Sequence, residues 1–311
     1  MYRQIAIALD GSPAALTAVA FARHINAESY RIIHVTEPLG SFGWASRPET
    51  HRAGERAALA ERYRADALAA MTAPGSSEPD IPISVDLRFG DPADELIAAS
   101  DAADMMLLTT RGRGIAERTL FGSVADEVSR RGVRPTLILR PDHDLRHPER
   151  IVVPLDGGPR AERAIPVARR LALTLRCPIV LVHVVDEEDL AGTPFGAPGP
   201  KDGVVSPKHN DINRAIDQAA GYLEDQERAL ETAELSVQHR VVIGDTIPAL
   251  IEFADPADIV VVASRAHTGI RRLVDQSVAE QLVRHAPSPV MIVHDRTLST
   301  QDPGPATMSS G

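Results

Sequence analysis

The strongest constraint in this sequence is an internal repeat. Residues 5–12 read IAIALDGS and residues 151–158 read IVVPLDGG. RIIHVTE at 31–37 answers to VLVHVVD at 180–186, and RFGDPADELI, with Gly90-Asp91, answers to VIGDTIPALI, with Gly244-Asp245. TLILR at 136–140 answers to VMIVH at 290–294. The offset is 146 at Asp10/Asp156, 149 at His34/His183 and 154 from Gly90/Gly244 onward. Insertions therefore fall between matched elements, as in a duplicated folding unit. The expected units are 1–143 and 149–296, joined by PDHDLRHPER at 141–150, with 297–311 a polar, disordered tail.

Each copy alternates strands with helices. In the first, strands are expected near 4–9, 31–36, 83–89, 105–110 and 136–140, and helices near 13–26, 52–72, 92–101 and 123–131. IAIAL and the runs at 105–108 and 137–139 are apolar on both faces, as interior strands of a parallel sheet must be. ISVDLRF alternates apolar with polar residues and reads as a half-exposed edge strand. The class that follows is α/β, with each copy a doubly wound, Rossmann-like layer sandwich. Ser12-Pro13 and Asp91-Pro92 mark helix starts, and Gly158-Pro159 repeats the signal more weakly. Pro166 falls inside the helix expected from Pro159 and predicts a kink.

Composition excludes several functions. A net charge of −10 gives no basic face for nucleic acid. No run approaches the roughly 18 to 20 apolar residues of a membrane span, so no membrane partner is expected. The start MYRQIAIALDGS lacks a signal-peptide layout, and the lone Cys177 fits a reducing, cytoplasmic setting as a buried packing residue. No Cys/His cluster has zinc-ligand spacing.

Ligands of open α/β sheets bind at the carboxyl ends of the strands. Asp10 ends the first strand, and the 109–114 loop follows the fourth. Gly112 lets backbone approach a phosphate, Gly122-Ser123 opens a helix whose N-terminus favours an anion, and Arg111, Arg113 and Arg118 add positive charge. Other readings compete. Ser123 with Asp126, and Ser277 with Glu280, fit a helix capping box. Asp10 and Asp156 fit local caps of their turns, Arg111 and Arg113 fit solvated loop charges, and His34 and His183 fit core packing. No Ser/His/Asp set and no G-x-S-x-G elbow is present, so a catalytic centre is not the leading reading.

IAIALDGSPAA, RIIHVTEP, FGDPADELI, TTRGRGIAERTLFGSVADEVSRR and RPTLILR, with their second-copy partners, resemble tandem universal stress proteins from residue 4 to 294. The resemblance implies an adenine-nucleotide alpha hydrolase-like fold, a five-stranded parallel sheet of order 3-2-1-4-5 in each domain, and dimers or intramolecular pseudo-dimers. ATP-binding members carry G-x2-G-x9-G-[ST] after the fourth strand. The matching positions here are Thr109, Gly112, Gly122 and Ser123, with the first glycine replaced. By resemblance, Asp10 and Val35 meet adenosine, Gly112 and Gly122 the phosphates and Ser123 a phosphate oxygen, with Arg111 and Val124 flanking. In the second copy Ala263, Ala266, Gln276 and Ser277 stand there, without any of the glycines. The implied function is a cytoplasmic stress-response regulator or sensor that binds ATP, with Mg2+ held through its phosphates, in the N-terminal domain only, and that signals to an unidentified protein. A nucleotide-free dimeric scaffold and a slow ATPase are the alternatives.

Overall fold

The computed structural model of the chain describes residues 1–36, 49–72, 81–110, 122–186, 209–264 and 277–294. In the first half, β1 (Tyr2–Ala8), α1 (Leu16–Ala22), β2 (Ala27–Thr36), α2 (Glu49–Met71) and β3 (Ile83–Phe89) are followed by α3 (Pro92–Ser100), β4 (Met105–Thr109), α4 (Ser123–Arg131) and β5 (Thr136–Leu139). The second half comprises β6 (Arg150–Pro154), α5 (Ala164–Leu175), β7 (Ile179–Val185), α6 (His209–Leu230) and β8 (Val237–Ile243), then α7 (Thr246–Phe253), β9 (Asp258–Ala263), α8 (Val278–His285) and β10 (Val290–Val293).

The strands form one sheet of order β3-β2-β1-β4-β5-β10-β9-β6-β7-β8. Each half is thus parallel with order 3-2-1-4-5, as the resemblance implied, and the halves meet where β5 pairs antiparallel with β10. At that seam Met291 faces Leu137, its own counterpart in the repeat, while Val290 faces Ile138 and Ile292 faces Thr136. The contact is therefore self-complementary, as in a twofold dimer, and each half covers the other's inner sheet edge. Apolar cores on both sheet faces run through the seam. One holds Leu137 and Met291 with α1 and α5 residues, the other Ile138 and Ile292 with α3, α4 and α8 residues.

The edge reading of ISVDLRF holds, since β3 is an outer strand whose residues are half-buried or exposed. The helix from Pro159 does not. Residues 157–160 form bends and turns, Ala161–Arg163 is a short 3-10 turn, and α5 begins only at Ala164. Pro166 is then the third residue of α5, where no intrahelical acceptor awaits its missing N–H, so the proline does not interrupt a helical ladder. The first copy also opens with a 3-10 turn, Pro13–Ala15, whose Ala15 N–H donates to the Ser12 hydroxyl as expected of a cap. Asp91 likewise accepts from Asp94 N–H at 3.0 Å. Cys177 is buried, and burial pushes its thiol up to about 12, in keeping with a packing role.

Candidate functional site

A cavity of about 380 Å³ opens at the carboxyl ends of β1, β2 and β4 and is roofed by the first turns of α3 and α4. Its apolar wall includes Ile33, Val35, Leu96, Leu108 and Val124, and its polar rim includes Asp10, Thr109, Thr110 and Ser123. The size and the few polar groups on an apolar lining suit a small organic ligand. The topology supplies the opening: the chain leaves β1 toward one sheet face and β4 toward the other, which separates the connections at this point.

Asp10 lies just past β1, where its Oδ1 accepts the Ser12 N–H at 2.9 Å. Asp156 repeats this with Gly158 N–H at 2.8 Å, so the local turn-capping reading of both aspartates is correct, and Asp10 lines the cavity as well. Gly11, between Asp10 and Ser12, has φ +84°, and a Cβ there would lie 2.9 Å from the Tyr63 hydroxyl oxygen. The positive φ strains any side chain at that turn, and a Cβ would also require the Tyr63 hydroxyl to shift. Tyr63 comes from α2 and donates to His34 Nε2 at 3.4 Å, while His34 Nδ1–H donates to the Leu9 carbonyl at 2.8 Å. Burial raises the Tyr63 hydroxyl above its ordinary value, which keeps it a donor. His183 is buried as a core histidine, but His34 forms part of the cavity wall, a placement that its apolar strand context did not suggest.

Thr109 ends β4. Its Oγ1 accepts the Ala18 N–H, in the first turn of α1, at 3.2 Å. The branched side chain at the motif's first position thus caps a neighbouring helix whose early N–H groups lack intrahelical acceptors. Gly122 is the N-cap of α4, in extended conformation (φ −60°, ψ 139°), and supplies no side-chain cap. Ser123 is already the first helical residue and is exposed to solvent. The capping box expected of Ser123 and Asp126 is therefore absent: Asp126 N–H goes to the Gly122 carbonyl at 2.9 Å, and its carboxylate pairs with Arg130 at 2.6 Å. Glycine is itself an accepted N-cap, so the helix starts one residue too early for the box. In the second copy the box's serine works as read, since Ser277 is the N-cap and its Oγ accepts Glu280 N–H at 3.2 Å.

The cavity thus brings together Asp10, Val35, Thr109, Gly122, Ser123 and Val124. Arg111 and Gly112 lie outside the described residues, as do Arg113, Arg118, Ala266 and Gln276. Sequence reasoning missed Thr110, Pro92 and Leu96, all of which line the cavity. The signal for Thr110 was a second hydroxyl directly after the run MMLLT, which itself ends at Thr109. In the second copy the Thr246 hydroxyl donates to Asp186 Oδ2 at 2.7 Å, tying the end of β7 to the start of α7 across the equivalent opening. Val184, the counterpart of the half-buried Val35, is buried there.

This sheet order, with its crevice at the strand ends, places the chain among doubly wound, Rossmann-like α/β proteins. Residues 1–140 and 148–294 each match the universal stress protein family, and the chain belongs to that family as a tandem member. A universal stress protein of Mycolicibacterium smegmatis is 28% identical over 219 residues, 69% of each chain. One from Mycobacterium bovis is 26% identical over 317 residues, covering 93% of this chain and 94% of that one. The crystal structure of a universal stress protein from Archaeoglobus fulgidus shares the fold, with a TM-score of 0.64 over 94% of this chain and 98% of that one at 17% identity. Among the described residues no helix is long and apolar enough to cross a membrane, and no cluster of three His, Cys, Asp or Glu is placed to hold a metal ion.

Proposed function

We propose that this universal stress protein binds ATP in the crevice of its first half and serves as a cytoplasmic regulator or sensor rather than a metabolic enzyme. The observation that carries the reading is the N-terminus of α4, which enters the cavity behind a glycine, without a side-chain cap, and beside the exposed hydroxyl of Ser123. Unpaired N–H groups and the helix dipole at such a terminus attract phosphate oxygens. The apolar wall at Ile33, Val35 and Leu96 suits a planar base, and Asp10 stands where a ribose hydroxyl can be read. Gly112 and Arg111 are assigned to the phosphates through the family motif alone. Mg2+ belongs to this reading as an ion carried in by the phosphates.

Restriction of the nucleotide to the first half is part of the proposal. It is supported by the second copy's serine, which is engaged as a helix cap, and by the Asp186–Thr246 bridge across its opening. The self-complementary seam supports a pseudo-dimer within one chain. Occupancy of the first crevice then biases a surface read by another protein.

The test is isothermal titration of Mg-ATP into wild type and Gly122→Asp, with phosphate release followed in parallel. The backbone at Gly122 is ordinary extended conformation, and aspartate is a favourable N-cap, so this variant keeps the fold while placing a carboxylate where a phosphate would rest. About one equivalent bound by wild type and none by Gly122→Asp is the expected result. No binding to wild type would overturn the ATP reading and leave the dimeric scaffold. Sustained phosphate release abolished in Gly122→Asp would make the protein an ATPase.

A further inference from the structure

The geometry points to the Thr110 hydroxyl as a ligand-contacting group at the phosphate end of the crevice, donating a hydrogen bond to an anionic oxygen held at the N-terminus of α4. This rests on the nucleotide reading above and adds a residue that the family motif leaves unassigned.

Thr110 is 2% exposed and lines the cavity. Its backbone is satisfied, since the N–H donates to the Leu139 carbonyl at 2.8 Å. Its Oγ1 is buried and has no hydrogen-bond partner among the described residues. A buried hydroxyl in that state destabilises a fold, and most are paired with protein or water. A threonine whose hydroxyl gains no bond among the described residues is explained when something entering the cavity completes its bonding.

Position decides what that something is. Period-two alternation puts Thr110 on the same sheet face as Met106 and Leu108, which pack in one core with Ala125 and Val128 of α4. That is the face covered by α4, whereas Thr109 turns the other way to cap α1. Thr110 and the first turn of α4 therefore border the same corner of the cavity. The first N–H groups of α4 have no intrahelical acceptors, Gly122 offers no side chain to them, and the Ser123 hydroxyl stands exposed beside them. The corner is thus a set of donors bordered by a buried hydroxyl, and its chemical complement is a multiply bonded anionic oxygen, such as that of a phosphoryl group. The second copy differs at the helix terminus, where Ser277 satisfies its own helix.

The experiment compares wild type, Thr110→Val and Thr110→Ser in the full chain, measuring Mg-ATP affinity by titration calorimetry and the melting temperature without ligand. Valine has nearly the shape of threonine and removes only the hydroxyl. Expected are a loss of about 10- to 100-fold in ATP affinity for Thr110→Val, the range for a hydrogen bond to a charged group, and a change within about threefold for Thr110→Ser. The ligand-free melting temperature of Thr110→Val should stay level or rise, because an unpaired buried hydroxyl has been removed. Wild-type affinity in Thr110→Val overturns the inference and leaves the ATP reading intact. Equal loss in the valine and serine variants, or a melting temperature several degrees lower for valine, assigns Thr110 a structural role and also overturns it. Absence of ATP binding in wild type overturns both.

Discussion

Replacing Asp104 tests whether the two halves are energetically one body. Asp104 precedes β4 in the first half and is 7% exposed. Its Oδ2 accepts the Arg3 N–H at 2.7 Å and the guanidinium of Arg170, from α5 of the other half, also at 2.7 Å. Arg170 further stacks over the Tyr2 ring, 4.1 Å from its centroid, and donates to the Met1 carbonyl at 3.3 Å. Burial works to raise the Asp104 carboxyl, but the Arg3 N–H and the Arg170 guanidinium outweigh it and hold the group below its ordinary 3.8. Asp104→Asn keeps the shape and removes the charge. A hydrogen bond to a charged group contributes about 1.5–3 kcal/mol, and because the Arg170 side chain is 33% exposed the expected loss is about 2 kcal/mol. For a domain pair of this length that lowers the melting temperature by about 3 °C. In a double-mutant cycle with Arg170→Met, followed by urea unfolding at pH 7, the coupling should be about 1.5 kcal/mol. The group's folded value is depressed, so its contribution is fully present above about pH 3.8 and disappears as pH falls through the folded value. The gap between wild type and Asp104→Asn should therefore narrow as pH falls below about 3.8. A coupling below about 0.5 kcal/mol at pH 7, or a gap that does not depend on pH, would refute the assignment of this ion pair as a clamp between the halves.

Two further outcomes follow. Thr109→Val removes the acceptor for Ala18 N–H, so stability should fall by about 1 kcal/mol while ATP affinity changes less than about threefold, since the lost hydroxyl served α1. Calorimetry showing a tenfold loss of affinity would instead put Thr109 in the ligand's contacts. His143 is buried at the seam and its Nδ1 accepts Arg140 N–H at 3.1 Å. Burial, with Arg140 adding to it, pushes this histidine down to about 4. Protons then bind the unfolded chain first, so stability is lost as pH falls from about 6.5 toward 4. An NMR titration should find the His143 midpoint near 4, and a midpoint at 6 or above would contradict the burial argument.

Much of the fold was legible in the sequence because it rests on local rules and repetition. ISVDLRF gave its strand from residue 83 to 89 through alternation alone, and SVADEVSRR gave its helix at 123–131. Asp91-Pro92 announced a cap that the structure forms, because cap and proline act within one turn. Pro166 and the Ser123 box were misread for one shared reason. Each depends on which residue begins the helix, and the sequence signals place a start only to within a residue or a turn. Within the site, Asp10, Val35, Gly122 and Ser123 carried enough local signal to be named. Thr110 and His34 did not, since a threonine or histidine within an apolar strand looks alike whether its side chain meets core or cavity.

The repeat, the alternation of strand and helix, the acidic composition and the glycine-bearing motif are properties of the chain order, and they determined the α/β class, the duplication and the region of the crevice. Tertiary structure decided the rest. Joining of the two copies through Leu137 and Met291 depends on two strand edges meeting across 154 positions. The difference between Ser123, which is exposed, and Ser277, which caps its helix, depends on one residue of helix register. Both threonines line the cavity, but the Thr109 hydroxyl turns to α1 and Thr110 to the face covered by α4, because neighbouring residues of a strand face opposite sides of the sheet. Only packing determines what each side holds.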